Sequence, residues 1–573
     1  MKLRGFLVLA TLALLGAAPP PDTTVHYSLS PVIENGDLTS LAVELRFTGD
    51  ADGETRLLLP DSWGGRTELW RQVRDVTVEG AGVREDGPAV RLLTHAPEAP
   101  LAVRYRVVSA YAEDPTVAEQ RNPYGAIVRP RWFSVLGTAA FVWPEGRDRA
   151  PADFRWGPLP EGWSVASDLE HFALGRSGRV DDVRQSVTVG APDLKVVRRE
   201  LAGVPFRFAA LGAWRFDVET FADLLARVLS AQRDYWRDPG EPYFIALHPL
   251  QPLPNHLSLG GTGLDDSFSL YVGTNSEAEQ LRHLVAHEHM HTWNAARLGS
   301  LPDEGEALDY WFSEGFTDFL TYRTLLRSGV WSLEEFVAQL NVTFALYAAS
   351  PVRNAPNTRI DKEFWSDPKV EKLPYQRGLL LAFLWEARLR KATRGRRDLD
   401  DVLLAQLKRA SANERQGVTV LAAALFPRIY RETGGPELTK DLERYVEKGE
   451  SVFLPADAFG RCARVETRAI PVFDRGYDGD ATSRAGSVVT GLREDSPAYA
   501  AGLREGMKIL KREAGMPGDS RVEYVLRVDD HGTERLIRFR PEGKERVTLQ
   551  EVILAPGLTP GQRTACARSM SGG

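Results

Sequence analysis

The chain has 573 residues, long enough for several domains that each bury a core of their own. Its 43% hydrophobic and 26% charged content is ordinary for a soluble globular protein. The net charge of −7 is modest and no basic stripe appears, which argues against a nucleic-acid partner.

Lys2 and Arg4 precede an apolar run from Gly5 to Ala18 that closes in small residues. This is the form of a secretory signal peptide, too short for a membrane span. Residues 1–18 are therefore read as a signal segment cut near Ala17 or Ala18, and no later stretch is apolar and long enough to cross a bilayer. Residues 19–202 read as a β domain. Leu41, Val43, Leu45 and Phe47 alternate with polar or small residues, as do Leu101, Val103, Tyr105 and Val107. Such period-two runs between Gly/Pro clusters predict antiparallel sheets, arranged as a sandwich. From residue 203 the period changes: Phe221, Leu224, Leu225, Val228 and Tyr235 follow helical spacing, and Tyr243 to Leu247 is a short apolar strand.

A second helix is predicted from Ser276-Glu277-Ala278-Glu279, which fits a capping box, with Gly299 as its stop. It carries His287-Glu288-His289-Met290-His291, an H-E-x-x-H pattern. Residues i and i+4 share a helix face, so His287 and His291 can bind one metal ion and Glu288 can reach a water on it. A third ligand must come from Asp303, Glu304, Glu306, Asp309, Glu314 or Asp318. Asp303 to Glu306 lie in a Pro/Gly-punctuated loop. Glu314 stands among aromatic residues, where an unpaired carboxylate would be costly, and is the expected ligand. Asp318, one turn on, is expected to accept the second N–H of a ligand histidine. Two histidines and a carboxylate suit Zn2+, one ion per chain, with one position left open. His283 and His289 are read as surface or packing histidines lying off the His287/His291 face. No H-x-x-G-x-x-H continuation follows His291, which argues against the metzincin class.

The stretch H-E-H-M-H-T-W-N from His287, with W-F-S-E-G-F-T from Trp311, resembles the glycyl aminopeptidase family of gluzincin metallopeptidases. The resemblance implies a multidomain α+β protein. It would have an N-terminal β-sandwich-like domain, a thermolysin-like and mostly α catalytic domain over residues 203–450, and a C-terminal PDZ domain. It also implies export to a bacterial periplasm or the medium, peptide or protein substrates, and removal of small N-terminal residues. In related gluzincin aminopeptidases a tyrosine in a P-Y-x-K-G context donates to the oxyanion. Pro374-Tyr375-Gln376-Arg377-Gly378 carries that role to Tyr375, unless Tyr375 merely packs at a helix start. Family members also use a glutamate in a G-G-L-E-H-like strand to hold the substrate amine. Here the segment is Gly260-Gly261-Thr262-Gly263-Leu264-Asp265-Asp266-Ser267, so Asp265 is either that anchor or a turn residue. This departure keeps open a metallo-endopeptidase or broad-specificity peptidase.

Residues 465–556 return to β character. Ser496-Pro497-Ala498-Tyr499-Ala500-Ala501-Gly502-Leu503 resembles a PDZ stretch, with Met507 in place of the usual aspartate. Such a domain would bind an extended peptide at a sheet edge, with Arg475-Gly476-Tyr477 as a candidate carboxylate loop. A peptide-binding scaffold with an inactive zinc site is the reading from another functional class. Residues 557–573 are expected to be a flexible tail. Cys462 and Cys566 flank the region, and an exported chain could join them.

Overall fold

The computed structural model describes residues 23–115, 123–174, 178–252, 259–264 and 266–572. The expected signal segment and Asp265 lie outside these. The predicted alternation near the N-terminus forms two long paired strands, Val25–Glu34 and Asp37–Thr48. Asn35 and Gly36 turn the chain between them with φ of 55° and 93°, the left-handed pair that a tight hairpin needs. Leu41, Val43, Leu45 and Phe47 all face inward. These strands sit in a six-stranded sheet, while Glu54–Leu58 and Val90–His95 belong to a four-stranded one. Leu57 and Leu93 share a core with Leu41 and Val103, so the two sheets pack face to face.

A further four-stranded sheet, with Trp132–Leu136 and Val187–Ala191 at its centre, joins this domain to the next. There a five-stranded sheet runs in the order β1 (Lys195–Leu201), β2 (Val204–Ala210), β3 (Tyr243–Leu250), β5 (Ser267–Gly273) and β4 (Leu259–Gly263). The expected boundary at residues 202/203 is corrected. It would cut a hairpin in which Leu201 opposes Val204, and β1 belongs to this five-stranded sheet.

Two helices cover one face of the sheet, α1 (Val218–Trp236) and α2 (Ala278–Met290). Phe208, Ile245, Leu247 and Leu270 pack there against Leu225, Leu229, Leu281 and Val285. The other face, with Phe244 and Ala246, meets Leu136, Val187 and Val189 of the preceding domain. Burial on both faces is what the unbroken apolar run Tyr243–Leu247 requires. Strand β4 is left at the edge, beside α2.

Helices follow, among them α3 (Gly315–Arg327), α4 (Leu333–Ala349) and α5 (Leu373–Ala392). Beyond them β6 (Ala463–Phe473) pairs with β10 (Glu542–Leu554), and β7 (Lys508–Ala514), β8 (Tyr524–Asp530) and β9 (Thr533–Phe539) form a small sheet. The small sheet has its own core, which includes Ala498, Leu503, Met507 and Val528. Strand β10 is fastened to α4 by Asn341, whose amide donates to the Val552 carbonyl at 3.0 Å and accepts from its N–H at 2.7 Å.

The expected flexible tail is a correction. Residues Pro560–Met570 form helix α6, opened by a Thr559/Gln562 capping box. Cys566 of α6 is disulfide-bonded to Cys462, and both pack into the main catalytic core. Arg327 of α3 also donates to the Ser571 and Gly572 carbonyls.

Candidate metal and active site

Helix α2 begins one residue later than its capping signal predicts. Ser276 is buried, and Gln280 Oε1 accepts from the Glu277 N–H at 2.8 Å instead. The helix ends at Met290, well before Gly299, with His291 at its C-cap. His291 Nδ1 donates to the Asn294 carbonyl at 2.7 Å, and His287 Nδ1 donates to Asp318 Oδ1 at 2.9 Å. Both bonds select the tautomer that leaves Nε2 bare for a metal.

The two Nε2 atoms lie 3.1 Å apart. Glu314 Oε2 is 3.2 Å from that of His287 and 3.5 Å from that of His291. A tetrahedral zinc ion with ligands at its usual bond lengths sets neighbouring donors about 3.3 Å apart, so this donor set fits zinc in spacing and chemistry. Glu314 comes from the turn just ahead of α3, and Asn294 ties that turn to the end of α2. Its side-chain amide donates to the Phe312 and Ser313 carbonyls and to Thr317 Oγ1 at 3.0, 3.2 and 3.1 Å. Asn294 closes the motif H-E-H-M-H-T-W-N, yet nothing local in the sequence discloses this role.

Glu288 stands next to the donors, under edge strand β4. A Cβ on Gly261 would lie 3.3 Å from Glu288 Cγ, and one on Gly263 would lie 3.8 Å from its Oε2. Burial raises the Glu288 carboxyl, against the lowering charges of His287 and His291. The N-terminal domain reaches the same strand. Trp63 Nε1 donates to Thr262 Oγ1 at 3.0 Å, and the Tyr124 hydroxyl donates to the Gly261 carbonyl at 2.8 Å.

Tyr375 lies near the start of α5, with its ring 5.6 Å from that of His287. Burial first, then Glu314 and Glu288, holds its phenol well above its ordinary range, so it keeps its proton. Two glycines bring it there. A Cβ on Gly378 would meet the Trp311 carbonyl at 1.9 Å and Gly315 Cα at 2.6 Å, so α5 and the Glu314 turn touch backbone to backbone.

His289 is a packing histidine inside the core. It bonds to Gln232 Oε1 at 2.6 Å and lies edge-on to Tyr243 and Trp293. The placement of His283 is corrected. It stands one turn before His287 on the same face, with Nε2 3.0 Å from Asp318 Oδ1. The spacing i, i+4, i+8 was available in the sequence and is the signal that finds it.

Fold and site together define the class: the protein is a zinc peptidase. Residues 280–361, which carry His287, Glu288, His291, Glu314 and Asp318, match the family described as M61 glycyl aminopeptidase. No curated protein sequence matches the chain. An aminopeptidase N family protein from Idiomarina loihiensis has a similar structure over 95% of this chain and 100% of its own, with a TM-score of 0.67 and 16% identity. An M1 zinc metallopeptidase from Deinococcus radiodurans is similar over 76% of this chain and 95% of its own, with a TM-score of 0.47 and 16% identity. The first of these shows a shared fold across almost the whole length.

Proposed function

We propose that the protein is an exported aminopeptidase that removes small N-terminal residues from peptides. The observation that carries the hydrolytic part is the cluster of His287, His291 and Glu314 donors within 3.5 Å, with Glu288 beside it. Those three residues would hold one zinc ion, which supplies Lewis acidity and lowers the pKa of water. Glu288 takes the proton of the attacking water and passes it to the leaving amine. The Tyr375 hydroxyl donates to the oxygen that gains charge as the scissile carbonyl is attacked. Asp318 keeps His287 in its ligating tautomer.

Removal of a single terminal residue is supported by the family match and by the fastening of β4 from Trp63 and Tyr124. Side chains from another domain beside the base suit a bounded cleft rather than an open groove. Asp265 remains the proposed anchor for the substrate amine. The departure at Gly260–Ser267 supports the second reading, a metallo-endopeptidase or broad-specificity peptidase. One peptide offered free and N-blocked separates them: cleavage of the free form alone is expected, and equal cleavage of the blocked form would leave the endopeptidase. Glu288→Gln should keep its zinc and lose about a thousandfold in kcat, within the range for a lost general base. Unchanged turnover would remove Glu288 from this role.

Residues 465–556 are proposed as a PDZ-like peptide-binding module. The support is the S-P-A stretch, in which Ser496 caps the short helix Pro497–Ala500. Titration of the full chain with peptides ending in a free carboxylate tests it, and no binding would discard it. The proposal of export rests on residues 1–18, with the disulfide as independent support. A mature protein beginning near residue 19 is expected from N-terminal sequencing, and an intact Met1 would contradict it.

A further inference from the structure

His283, His287 and His291 form one stripe along α2, and Asp318 of α3 faces its first two members. Asp318 Oδ1 accepts from His287 Nδ1 at 2.9 Å and lies 3.0 Å from His283 Nε2. The His283 contact lies too far off the ring N–H line to count as a hydrogen bond, so it is a close polar contact in which the ring dipole faces the carboxylate. The His283 ring is itself held in place. It stacks on Trp331 at 6.2 Å with 9° between planes, and Tyr322 meets it edge-on at 5.3 Å. A surface histidine free to turn would have neither neighbour.

We propose that His283 is a positioning residue for the metal site: it holds the Asp318 carboxylate in the orientation in which Asp318 holds His287. The inference rests on the reading of His287 as a ligand. A buried carboxylate needs more than one partner to stay fixed in direction, and Asp318 is 8% exposed. With only His287 as partner, the carboxylate could rotate about its terminal bond and the imidazole would lose its fixed direction.

A rival use of the same atoms is a second metal site, because His283, His287 and Asp318 also offer donors within 4.8 Å of one another. Neutral imidazole has one bare nitrogen. His287 presents Nε2 to the Glu314 cluster and gives Nδ1–H to Asp318, so it cannot serve both clusters while neutral. The geometry therefore favours positioning.

The experiment compares His283→Phe, which keeps a ring against Trp331 and Tyr322 but has no donor, with His283→Gln, which restores an N–H near Nε2. Zinc affinity of the full chain is read by competition with a chromophoric chelator, and melting of the metal-free protein is read alongside. His283→Phe should weaken zinc roughly tenfold, the lower end of what outer partners of a ligand contribute, while His283→Gln stays within about threefold of the parent. In an Asp318→Ala background the His283→Phe change should add nothing, since one acts through the other. Unchanged zinc affinity in His283→Phe overturns the proposal, as does a loss that persists without Asp318. Loss of a second zinc equivalent with the first intact also overturns it, in favour of a second site. If His283→Phe does not fold, His283→Ala carries the same comparison. His287→Ala is the separate control: zinc binding unchanged there would refute the ligand assignment itself, whatever the His283 variants do.

Discussion

Tyr375 shows what one residue can be asked to supply. Its ring is 5.6 Å from that of His287, and its phenol stays protonated through burial and two nearby carboxylates. A donor aimed at charge that develops only during attack affects turnover more than binding. Tyr375→Phe should therefore lower kcat by about a hundredfold or more with KM within a few-fold. A Phe variant at parental kcat would return Tyr375 to simple packing at a helix start. The identity of Tyr375 as a candidate was legible from Pro374 to Gly378. Its distance from the His287, His291 and Glu314 donors was not, because Tyr375 and His287 are far apart in the chain and meet only through tertiary contact.

Between elements, the decisive contact is that of α5 with the turn that carries Glu314. It depends on Gly315 and Gly378, where each backbone occupies the place of the other's missing Cβ. Gly378→Ala must push both the Trp311 carbonyl and Gly315 away from α5, at about 1–3 kcal/mol or more as for other overpacked sites. It should also reduce kcat, since Tyr375 and Glu314 separate with their helices. Among the described residues a Cβ on Gly561 in α6 would meet nothing within 4 Å, and Ala there should be neutral or slightly stabilising. Urea unfolding of both variants checks the pair, and a Gly378→Ala protein as stable as its parent would refute the close approach. The sequence displayed both glycines inside its motifs. What it could not display is that they face one another.

Over the whole molecule, stability is shared across domain boundaries. Asp168 of the N-terminal domain accepts from the Val187 N–H at 2.9 Å and from the Ser267 hydroxyl of β5 at 2.8 Å. Burial pushes its carboxyl up to about 7, against these bonds and the charge of Arg207. The folded state thus keeps a proton that the unfolded chain releases above about pH 4. The stability contributed by the neutral carboxyl is complete below that pH and is lost as pH rises through about 7. Asp168→Asn, which cannot ionise, should flatten the fall in Tm between about pH 5 and 7.5, and a slope equal to the parent's would count against the shift. The disulfide between Cys462 and Cys566, 104 positions apart, pins α6 to the catalytic core rather than closing the small sheet alone. Replacing both with serine should cost about 2–4 kcal/mol in a denaturant melt, and no change would show that Arg327 and core packing hold α6 unaided.

Local periodicity by itself determined the strands of the N-terminal domain, the helix of His287 and His291, and the pairing of Glu314 with Asp318 one turn apart. Each of these is a property of residues a few positions from one another, where 2.0 and 3.6 residue periods set which side chains share a face. The capping box at Thr559–Gln562 was equally local, and a helix could have been read there. Tertiary structure alone decided the rest. Trp63 and Tyr124 reach β4 from 199 and 137 positions away, and Asn294 ties α2 to the Glu314 turn from 18. Asp318 brings His283 and His287 under one carboxylate oxygen. Contacts of that kind come from how packed elements meet, which the period of a single segment does not contain.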